Sequence, residues 1–202
     1  MENKIPARNK EINIIVATST NYGIGYDNKM CWHMPEELKK FKTITSEVID
    51  SSKKNCVIMG KNTWYSLPKR PLVNRMNIIV STKDYDKIKE ELGDNFEDTK
   101  IFKNLDEVFE YVYETDIIET AFIIGGSMLY NECLQKHVEK IKHVYMSIIY
   151  DKKYECDTYI AANIIFNNFR FEKKNVYNCS SKYISMKGYN KGISYPIDEP
   201  YD

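Results

Sequence analysis

Apolar runs that alternate with helical patterns constrain the fold of this chain more than any other feature of its sequence. Four runs, typical of strands buried on both faces, are residues 12–17, 56–59, 77–81 and 121–124. Helical patterns lie between them, at residues 35–44, 85–92 and 105–112. This βαβα alternation predicts a mostly parallel sheet with helices on both faces.

The pattern changes after about residue 140. Residues 143–149, 169–177 and 183–195 read as strands with no helix of comparable length between them. A late hairpin would place an antiparallel strand at one edge of the sheet. Because no repeat or clear linker interrupts the chain, we expect one domain over residues 1–202, frayed at 1–10 and 197–202.

Charge and composition disfavour a nucleic-acid or membrane partner and favour a protein of the cytoplasm. Lys+Arg and Asp+Glu both number 29, so the formal net charge is zero. The chain therefore has no net electrostatic field to attract nucleic acid or acidic lipid. No apolar run approaches the ~20 residues of a membrane helix, and no signal peptide is recognisable. The five cysteines are scattered without a CxxC pair, which predicts reduced thiols. Cys133 and His137 have metal-ligand spacing but no second pair, so we expect no metal site.

Glu37 is the first candidate for chemistry. It shares a helical face with Leu38, Phe41 and Ile44, which are expected to face a core. One interpretation is that the negative charge of Glu37 only interacts favourably with the positive N-terminal end of its helix. The other is a carboxylate in a dry pocket, which would have a raised pKa and bind a flat, amidine-like heterocycle through paired hydrogen bonds.

Two glycine-containing segments are the next candidates. Residues 21–25 (NYGIG) open a loop that ends near Trp32, and glycines there permit close approach to a ligand. Gly125 and Gly126 join a strand to a helix, where backbone N–H groups can approach a phosphate. A packed loop tip and a tight turn are the structural alternatives, and residue patterns alone do not decide between them.

Five segments, in this order and at these spacings, resemble dihydrofolate reductase: GIGYDNKMCWHMPEELKKFK, VIMGKNTWYSLPKRPLVNRMNIIVS, FIIGGSMLY, ECDTY and KGISY. The resemblance spans residues 12–195. It implies a single α/β domain with a central eight-stranded sheet, parallel except for its last edge strand. It also implies NADPH-dependent reduction of 7,8-dihydrofolate to 5,6,7,8-tetrahydrofolate, with hydride transfer to pterin C6 and protonation of N5. The chain would be free-standing or part of a bifunctional protein with thymidylate synthase, and would bind antifolate-type molecules.

The resemblance also implies roles for substrate-binding residues. Glu37 matches the acid that hydrogen-bonds the pterin 2-amino group and N3, and Trp32 would hold the water that relays a proton. Arg75 resembles the arginine that binds the folate tail, with Arg70 as the competing candidate. Ser147 falls near the position that supports the acid, one residue out of register. The remaining expected substrate contacts are the side chains of Leu38, Phe41, Leu67 and Leu72 and the carbonyls of Ile15 and Ile124.

A second set of residues resembles the family's cofactor site. The nicotinamide carboxamide would meet the backbone of Ala17 and Ile24. The rest of the set would bind phosphates and adenosine or pack beside them: Gly60, Lys61, Asn62, Thr63, Ser81, Thr82, Lys83, Gly125, Gly126, Ser127, Met128 and Tyr130. The family's Gly125–Gly126 peptide is cis. Thr82 stands where many members have arginine, and Lys83 is expected to compensate and preserve the choice of NADPH.

Two departures and two alternatives accompany the resemblance. Cys31 replaces the proline usual before the tryptophan, and Ala161 stands where a proline usually follows the DTY motif. A same-fold reductase of riboflavin biosynthesis is disfavoured by Glu37 with Arg75, since its substrate has neither a pterin amidine nor a glutamate tail. A non-catalytic binding domain is disfavoured because the acid and the paired glycines are both present.

Overall fold

An eight-stranded sheet lies at the centre of the fold, with helices packed on both of its faces. The computed structural model describes residues 10–93 and 98–194, and for residues 177–179 it describes the backbone alone. The expected frayed ends, residues 1–10 and 197–202, therefore lie outside the described residues except for Lys10.

Strands and helices alternate through the first two thirds of the chain, as the sequence predicted. The strands are β1 (Glu11–Ser19), β2 (Gly23–Gly25), β3 (Lys54–Gly60), β4 (Arg75–Val80), β5 (Thr99–Phe102), β6 (Ile118–Gly125), β7 (Ile141–Ile149), β8 (Thr158–Tyr159), β9 (Phe169–Cys179) and β10 (Tyr183–Asn190). The helices are α1 (Pro35–Ser46), α2 (Lys61–Ser66), α3 (Tyr85–Leu92), α4 (Leu105–Glu114), α5 (Ser127–Lys136) and α6 (Ala162–Asn168).

The order of strands in the main sheet is β5-β4-β3-β6-β1-β7-β10-β9. All pairs from β5 to β7 are parallel, while β10 runs antiparallel to both β7 and β9. The expected mostly parallel sheet with one late antiparallel strand is confirmed. That strand is β10, and β9 pairs with it as the edge strand of the sheet. Separately, β2 and β8 form a two-stranded sheet that joins two loops.

Alternate residues of the central strands enter two hydrophobic cores. In β3, Cys56 and Ile58 belong to the larger core, which α4, α5 and α6 cover. Val57 and Met59 belong to the smaller core, which α2 and α3 cover. Successive side chains of a strand point to opposite faces, so a strand covered on both sides has apolar residues on both of its faces.

Besides the short β2–β8 pair, which was not predicted, three elements differ from the sequence-based prediction. The last strand ends at Asn190 because a turn follows it, in which the Asn190 side chain accepts from the Gly192 N–H at 2.9 Å. Helix α6 was not predicted, since its seven residues bury only Ala162 and Ile165 and so show no long periodic stripe. The four-residue strand β5 was also missed, because only Thr99 is fully buried in it.

His143 makes the stability of this fold depend on pH. It is 3% exposed in β7, and its Nδ1 lies 3.2 Å from Asn13 Oδ1 and 3.6 Å from Glu11 Oε2. Burial lowers the pKa of His143 below its ordinary value, although Glu11 opposes the shift. The unfolded chain therefore takes up this proton first as pH falls below about 6.5.

We accordingly expect the free energy of unfolding to fall as pH is lowered below about 6.5, because of this group. His143→Gln should remove that part of the slope, and urea denaturation at stepped pH measures it. The Glu11 contribution does not interfere. Burial acts to raise the pKa of Glu11, but hydrogen bonds with His143 and Lys142 lower this pKa to about 2. The stability that Glu11 contributes is therefore lost only at lower pH. An equal slope in the variant would contradict the assignment to His143.

Candidate active site

Glu37 lies in the first turn of α1 and is 6% exposed. Pro35 begins the helix, where the missing N–H of proline costs nothing. Burial raises the pKa of Glu37 above its ordinary value, while a hydrogen bond with Ser147 and the charge of Lys40 oppose this shift. A buried carboxylate with a raised pKa is therefore present at this end of the sheet.

The rest of the α1 face is less buried than its apolar pattern predicted. Glu37 and Thr45 are the buried residues of this helix, whereas Leu38 is 41% exposed. The expectation that Leu38 faces a core was wrong. It lies about 100° around the helix from Glu37 and falls at the margin of the buried arc, while Phe41 and Ile44 are half-buried within it.

Ser147 connects Glu37 to the sheet. It lies in β7 beside Ala17 of β1, and its side chain is buried. Its hydroxyl hydrogen-bonds to Glu37 and lies 2.8 Å from the hydroxyl of Ser185 in β10. The structure therefore brings Ser147 to the acid despite the one-residue discrepancy in the sequence match. Ser185 was not predicted, because only the β7–β10 pairing brings it there.

Trp32 is buried between two loops. Its ring contacts Tyr154 edge-on, with centroids 5.4 Å apart. The indole N–H finds no acceptor within the part of the chain that the structure describes. An N–H donor in such a place is suited to a small polar molecule, which would satisfy its hydrogen bond.

Tyr130 of α5 contacts both β1 and Gly125 at the end of β6, next to Glu37. The Tyr130 hydroxyl donates to the Ile15 carbonyl at 2.7 Å, and burial together with the charge of Glu37 raises the pKa of Tyr130. A Cβ on Gly125 would lie 3.0 Å from the Tyr130 ring, and Gly125 has a φ of +114°. Only glycine fits this position without strain.

Arg75 is a buried cation at the start of β4, with 3% exposure. Its Nη1 donates to Thr45 Oγ1 at 2.8 Å and its Nε to the Val73 carbonyl at 3.1 Å. The guanidinium lies 6.0 Å from the ring centroid of Phe41. No carboxylate of residues 10–93 and 98–194 forms an ion pair with it, so the charge is available to an anionic ligand.

Two residues that sequence reasoning missed hold Arg75 in place. Thr45 accepts from Arg75 and donates to the Phe41 carbonyl at 2.7 Å. The side chain of Asn77 closes the turn before β4, with hydrogen bonds of 2.9 to 3.0 Å to Leu72 and Arg75. A polar residue at the head of a buried strand, as Asn77 is, was the signal available in the sequence.

Arg70 occupies a different environment from Arg75. It is exposed, and its guanidinium lies 5.0 Å from the Tyr65 ring centroid and 5.6 Å from that of Trp64. Its Nη1 donates to the Tyr65 carbonyl at 3.3 Å. Nearby apolar residues predicted to line the site are half-buried against the smaller core, namely Leu67, Leu72 and Ile124.

The starts of α2 and α5 lie side by side, separated by glycine backbone. A Cβ on Gly126 would lie 3.3 Å from Thr63 Oγ1, and one on Gly60 would lie 3.7 Å from the Gly126 nitrogen. The Gly125–Gly126 peptide is cis. Neither helix has a side-chain cap, so the first N–H groups of the ten-residue α5 have no side-chain acceptor, which suits a phosphate.

The predicted adenosine-side residues follow β4. Lys61 Nζ is paired with Asp84 at 2.7 Å, and the Asp84 N–H donates to Ser81 Oγ at 3.2 Å. Thr82 donates to the Lys103 carbonyl at 2.7 Å. Lys83 is exposed and forms no ion pair within the described ranges.

The loop of residues 19–34 closes the site on one side. Ile24 lies in β2 and packs against the larger core. The Asn28 side chain accepts from Asn62 Nδ2 of α2 at 3.0 Å. At the start of α5, Ser127 Oγ donates to the Tyr159 carbonyl at 3.2 Å, while Met128 is 88% exposed.

Comparison with known proteins gives one consistent result. The sequence profile of the dihydrofolate reductase family matches residues 11–187. A dihydrofolate reductase of Heliothis virescens is 34% identical over 151 residues, which cover 74% of this chain and 78% of that protein. One from Drosophila melanogaster is 33% identical over 152 residues, or 74% and 79% of the two chains.

A bifunctional dihydrofolate reductase–thymidylate synthase of Arabidopsis thaliana is also similar. It is 34% identical over 152 residues, which cover 73% of this chain and 26% of that longer protein. Among the described residues, no helix has the length and apolar character needed to cross a membrane.

Proposed function

The chain belongs to the dihydrofolate reductase family, and on that premise we propose that it reduces 7,8-dihydrofolate to 5,6,7,8-tetrahydrofolate with NADPH. Family membership implies a nicotinamide-dependent reductase, and the choice of NADPH is part of the proposal. The observation that carries it is Glu37, a buried carboxylate with a raised pKa next to Tyr130 and Ser147.

The glycine backbones of two helix starts fit a dinucleotide. Gly60 and Gly126 leave space that a Cβ would fill, and no side chain caps the first backbone N–H groups of α5. We assign the pyrophosphate and adenosine to residues 60–63 and 125–130, and the nicotinamide to the backbone of Ala17 and Ile24. When bound, NADPH supplies the hydride that reaches pterin C6.

Glu37 binds and protonates the substrate in this proposal. Its carboxylate accepts hydrogen bonds from the pterin 2-amino group and N3, and its negative charge favours a protonated ring. The proton reaches N5 through a water that the Trp32 indole N–H, which has no acceptor among the described residues, helps to hold. Ser147 keeps the carboxylate oriented through its hydroxyl.

Arg75 binds the carboxylate of the folate tail. Its buried guanidinium has hydrogen bonds to Thr45 and Val73 and no acidic partner among the described residues. Phe41 lies beside it, and Leu38, Leu67 and Leu72 would contact the ring system between pterin and tail. The pterin edge would meet the carbonyl of Ile124 near the end of β6 and that of Ile15 in β1, which also accepts from the Tyr130 hydroxyl.

The direct test measures NADPH consumption by the purified chain with and without dihydrofolate. We expect oxidation that depends on dihydrofolate and falls as pH rises, because the pterin must be protonated. Oxidation at the same rate without dihydrofolate, or none with it, would contradict the proposal.

Lys83 is the residue expected to select NADPH over NADH, because Lys61 is already paired with Asp84. Lys83→Ala should lower the ratio of kcat/KM for NADPH to that for NADH by about tenfold, through loss of one charge contact to the 2′-phosphate. Lys87→Ala is the matched control, since Lys87 pairs with Glu91 at 4.0 Å on α3. An unchanged ratio in Lys83→Ala would reject the role.

We also propose that the chain is a single reductase domain, and that it acts either alone or joined to thymidylate synthase. The bifunctional relative from Arabidopsis supports the second arrangement. Sedimentation of the purified chain with and without thymidylate synthase tests for a non-covalent complex between them, because a stable complex sediments faster than either component.

A further inference from the structure

Two cysteines from distant parts of the chain lie in contact at the edge of the candidate site. The sulfur atoms of Cys31 and Cys156 are 3.4 Å apart, although 125 positions separate the residues. Cys31 directly precedes the buried Trp32, and Cys156 lies between β7 and β8. A disulfide requires sulfurs about 2.05 Å apart, so a small movement of one loop would allow the bond.

Neighbouring groups hold both sulfurs in these positions. The Cys31 thiol donates to the Glu155 carbonyl at 3.2 Å. Cys156 occupies the space beside Gly23, where a Cβ would lie 2.4 Å from the Cys156 sulfur, and Ser19 Oγ is 3.7 Å away. The Glu155 carbonyl on one side and the backbone of Gly23 on the other therefore keep the two sulfurs facing each other.

This pair differs from the other cysteines with described side chains. Cys56 and Cys133 are fully buried, so a small-molecule oxidant cannot reach their sulfur atoms. Cys31 and Cys156 are only partly buried, and Cys31 lines an open cavity of about 380 Å³ together with Tyr26, Met30, Lys152, Lys153, Tyr154 and Glu155. A small oxidant can reach Cys31 through this cavity.

We propose that Cys31 and Cys156 are a redox pair whose disulfide fastens the loop of residues 19–34 to the segment of residues 150–159. One thiolate attacks a small-molecule disulfide and releases one thiolate, and the second cysteine then displaces the other. Two protein thiols lose two protons and two electrons, and the oxidant becomes two thiols. The five reduced thiols expected from the sequence then describe the reduced state, and the oxidised state contains this disulfide.

The disulfide would add a covalent bond to the contact between these two segments, which noncovalent interactions now hold. These are the β2–β8 pairing, the hydrogen bond of 2.9 Å from the Asp27 N–H to Asp157, and the contact between Trp32 and Tyr154. The same loop carries Ile24 and Trp32, so its effect on turnover rests on the proposed function. Loops that cover a reacting centre must open for ligands to exchange.

Disulfide formation is tested in a Cys179→Ser background, which removes the cysteine whose side chain lies outside the described part. The protein is equilibrated with excess oxidised glutathione, quenched with acid, alkylated and digested for mass spectrometry. We expect a cross-linked pair of peptides containing residues 31 and 156, with Cys56 and Cys133 alkylated. Because burial and Cys156 raise the pKa of Cys31, formation should be faster at higher pH. Absence of the cross-link in folded, fully equilibrated protein would overturn the proposal.

Hydrogen exchange tests the closure of the loop without reference to activity. Amide exchange in residues 20–32 should slow several-fold on oxidation and return to its original rate on reduction, while Cys156→Ser should show no change. Turnover of dihydrofolate by the oxidised form should be lower, restored by dithiothreitol, and insensitive to oxidation in Cys156→Ser. Equal loop exchange in the two redox states would overturn the proposed closure. If the reduced form also lacks turnover, the proposed function fails separately.

Discussion

Glu37→Gln is expected to lower turnover of dihydrofolate at neutral pH by about a thousandfold, because the substrate loses its proton source and its charge partner. Glutamine keeps the size of the side chain and can hydrogen-bond to Ser147, but it can neither carry the charge nor relay the proton. Steady-state and single-turnover rates measured across the pH range separate binding from chemistry. The loss should be smaller with substrate that is already protonated.

Glu36→Gln is the matched control, since Glu36 lies in the same helical turn and is exposed. It should retain the wild-type rate and pH profile. A Glu37→Gln enzyme that turns over like the wild type would remove Glu37 from the mechanism, whatever its effect on folding.

Glu37→Gln should also stabilise the fold at neutral pH. Because burial raises the pKa of Glu37, the folded state holds this proton to higher pH than the unfolded chain does. The ionised group therefore lowers the free energy of unfolding as pH rises above about 4.5, and glutamine removes that cost. Urea denaturation should show Glu37→Gln to be more stable than the wild type at pH 7, with the difference vanishing near pH 4. A lower stability at pH 7 would mean that Glu37 has a structural role.

Arg75→Leu is expected to raise the KM for dihydrofolate about a hundredfold and to change kcat much less. A paired, charge-assisted contact with a carboxylate contributes about 2 to 3 kcal/mol, and it lies far from the atoms that react. Initial rates over a range of substrate concentrations, with NADPH saturating, measure both parameters. Dihydropteroate, which lacks the glutamate tail, should be reduced equally well by variant and wild type.

Arg70→Leu provides the control for this prediction. Arg70 is exposed and packs on Tyr65 and Trp64, so its removal should leave the KM for dihydrofolate unchanged. Arg75→Leu should not weaken the fold, because the buried cation has no acidic partner among the described residues and Thr45 keeps its bond to Phe41. A raised KM in Arg70→Leu together with an unaltered KM in Arg75→Leu would reverse the two assignments.

Much of the fold was determined by local sequence. The run of residues 12–17 became β1 because both faces of that strand are covered, a condition that favours apolar residues, and the one polar side chain in the run, Asn13, is hydrogen-bonded to His143. The helix Tyr85–Leu92 ends where predicted, at Gly93, whose φ of +49° few other residues tolerate. Such signals are readable because the residues that decide the outcome are neighbours in the chain.

The candidate site was only partly readable in this way. Glu37 and the glycines at 125 and 126 stood out because each lies at a helix start, where the sequence context is local. The position of Ser147 against Glu37 depended on the register between β1 and β7, and Ser185 on the pairing of β10 with β7. A shift of one residue in either pair would turn these side chains to the other face.

The sequence by itself determined the alternation of strands and helices, the acid in the first turn of α1 and the glycine backbone at the start of α5. Tertiary structure alone decided that Thr45 would bind Arg75, that Asn77 would shape the turn before it, and that Cys31 would meet Cys156. Periodicity and helix-end chemistry act over a few residues. Contacts between segments depend on how the whole sheet is ordered, which no local pattern contains.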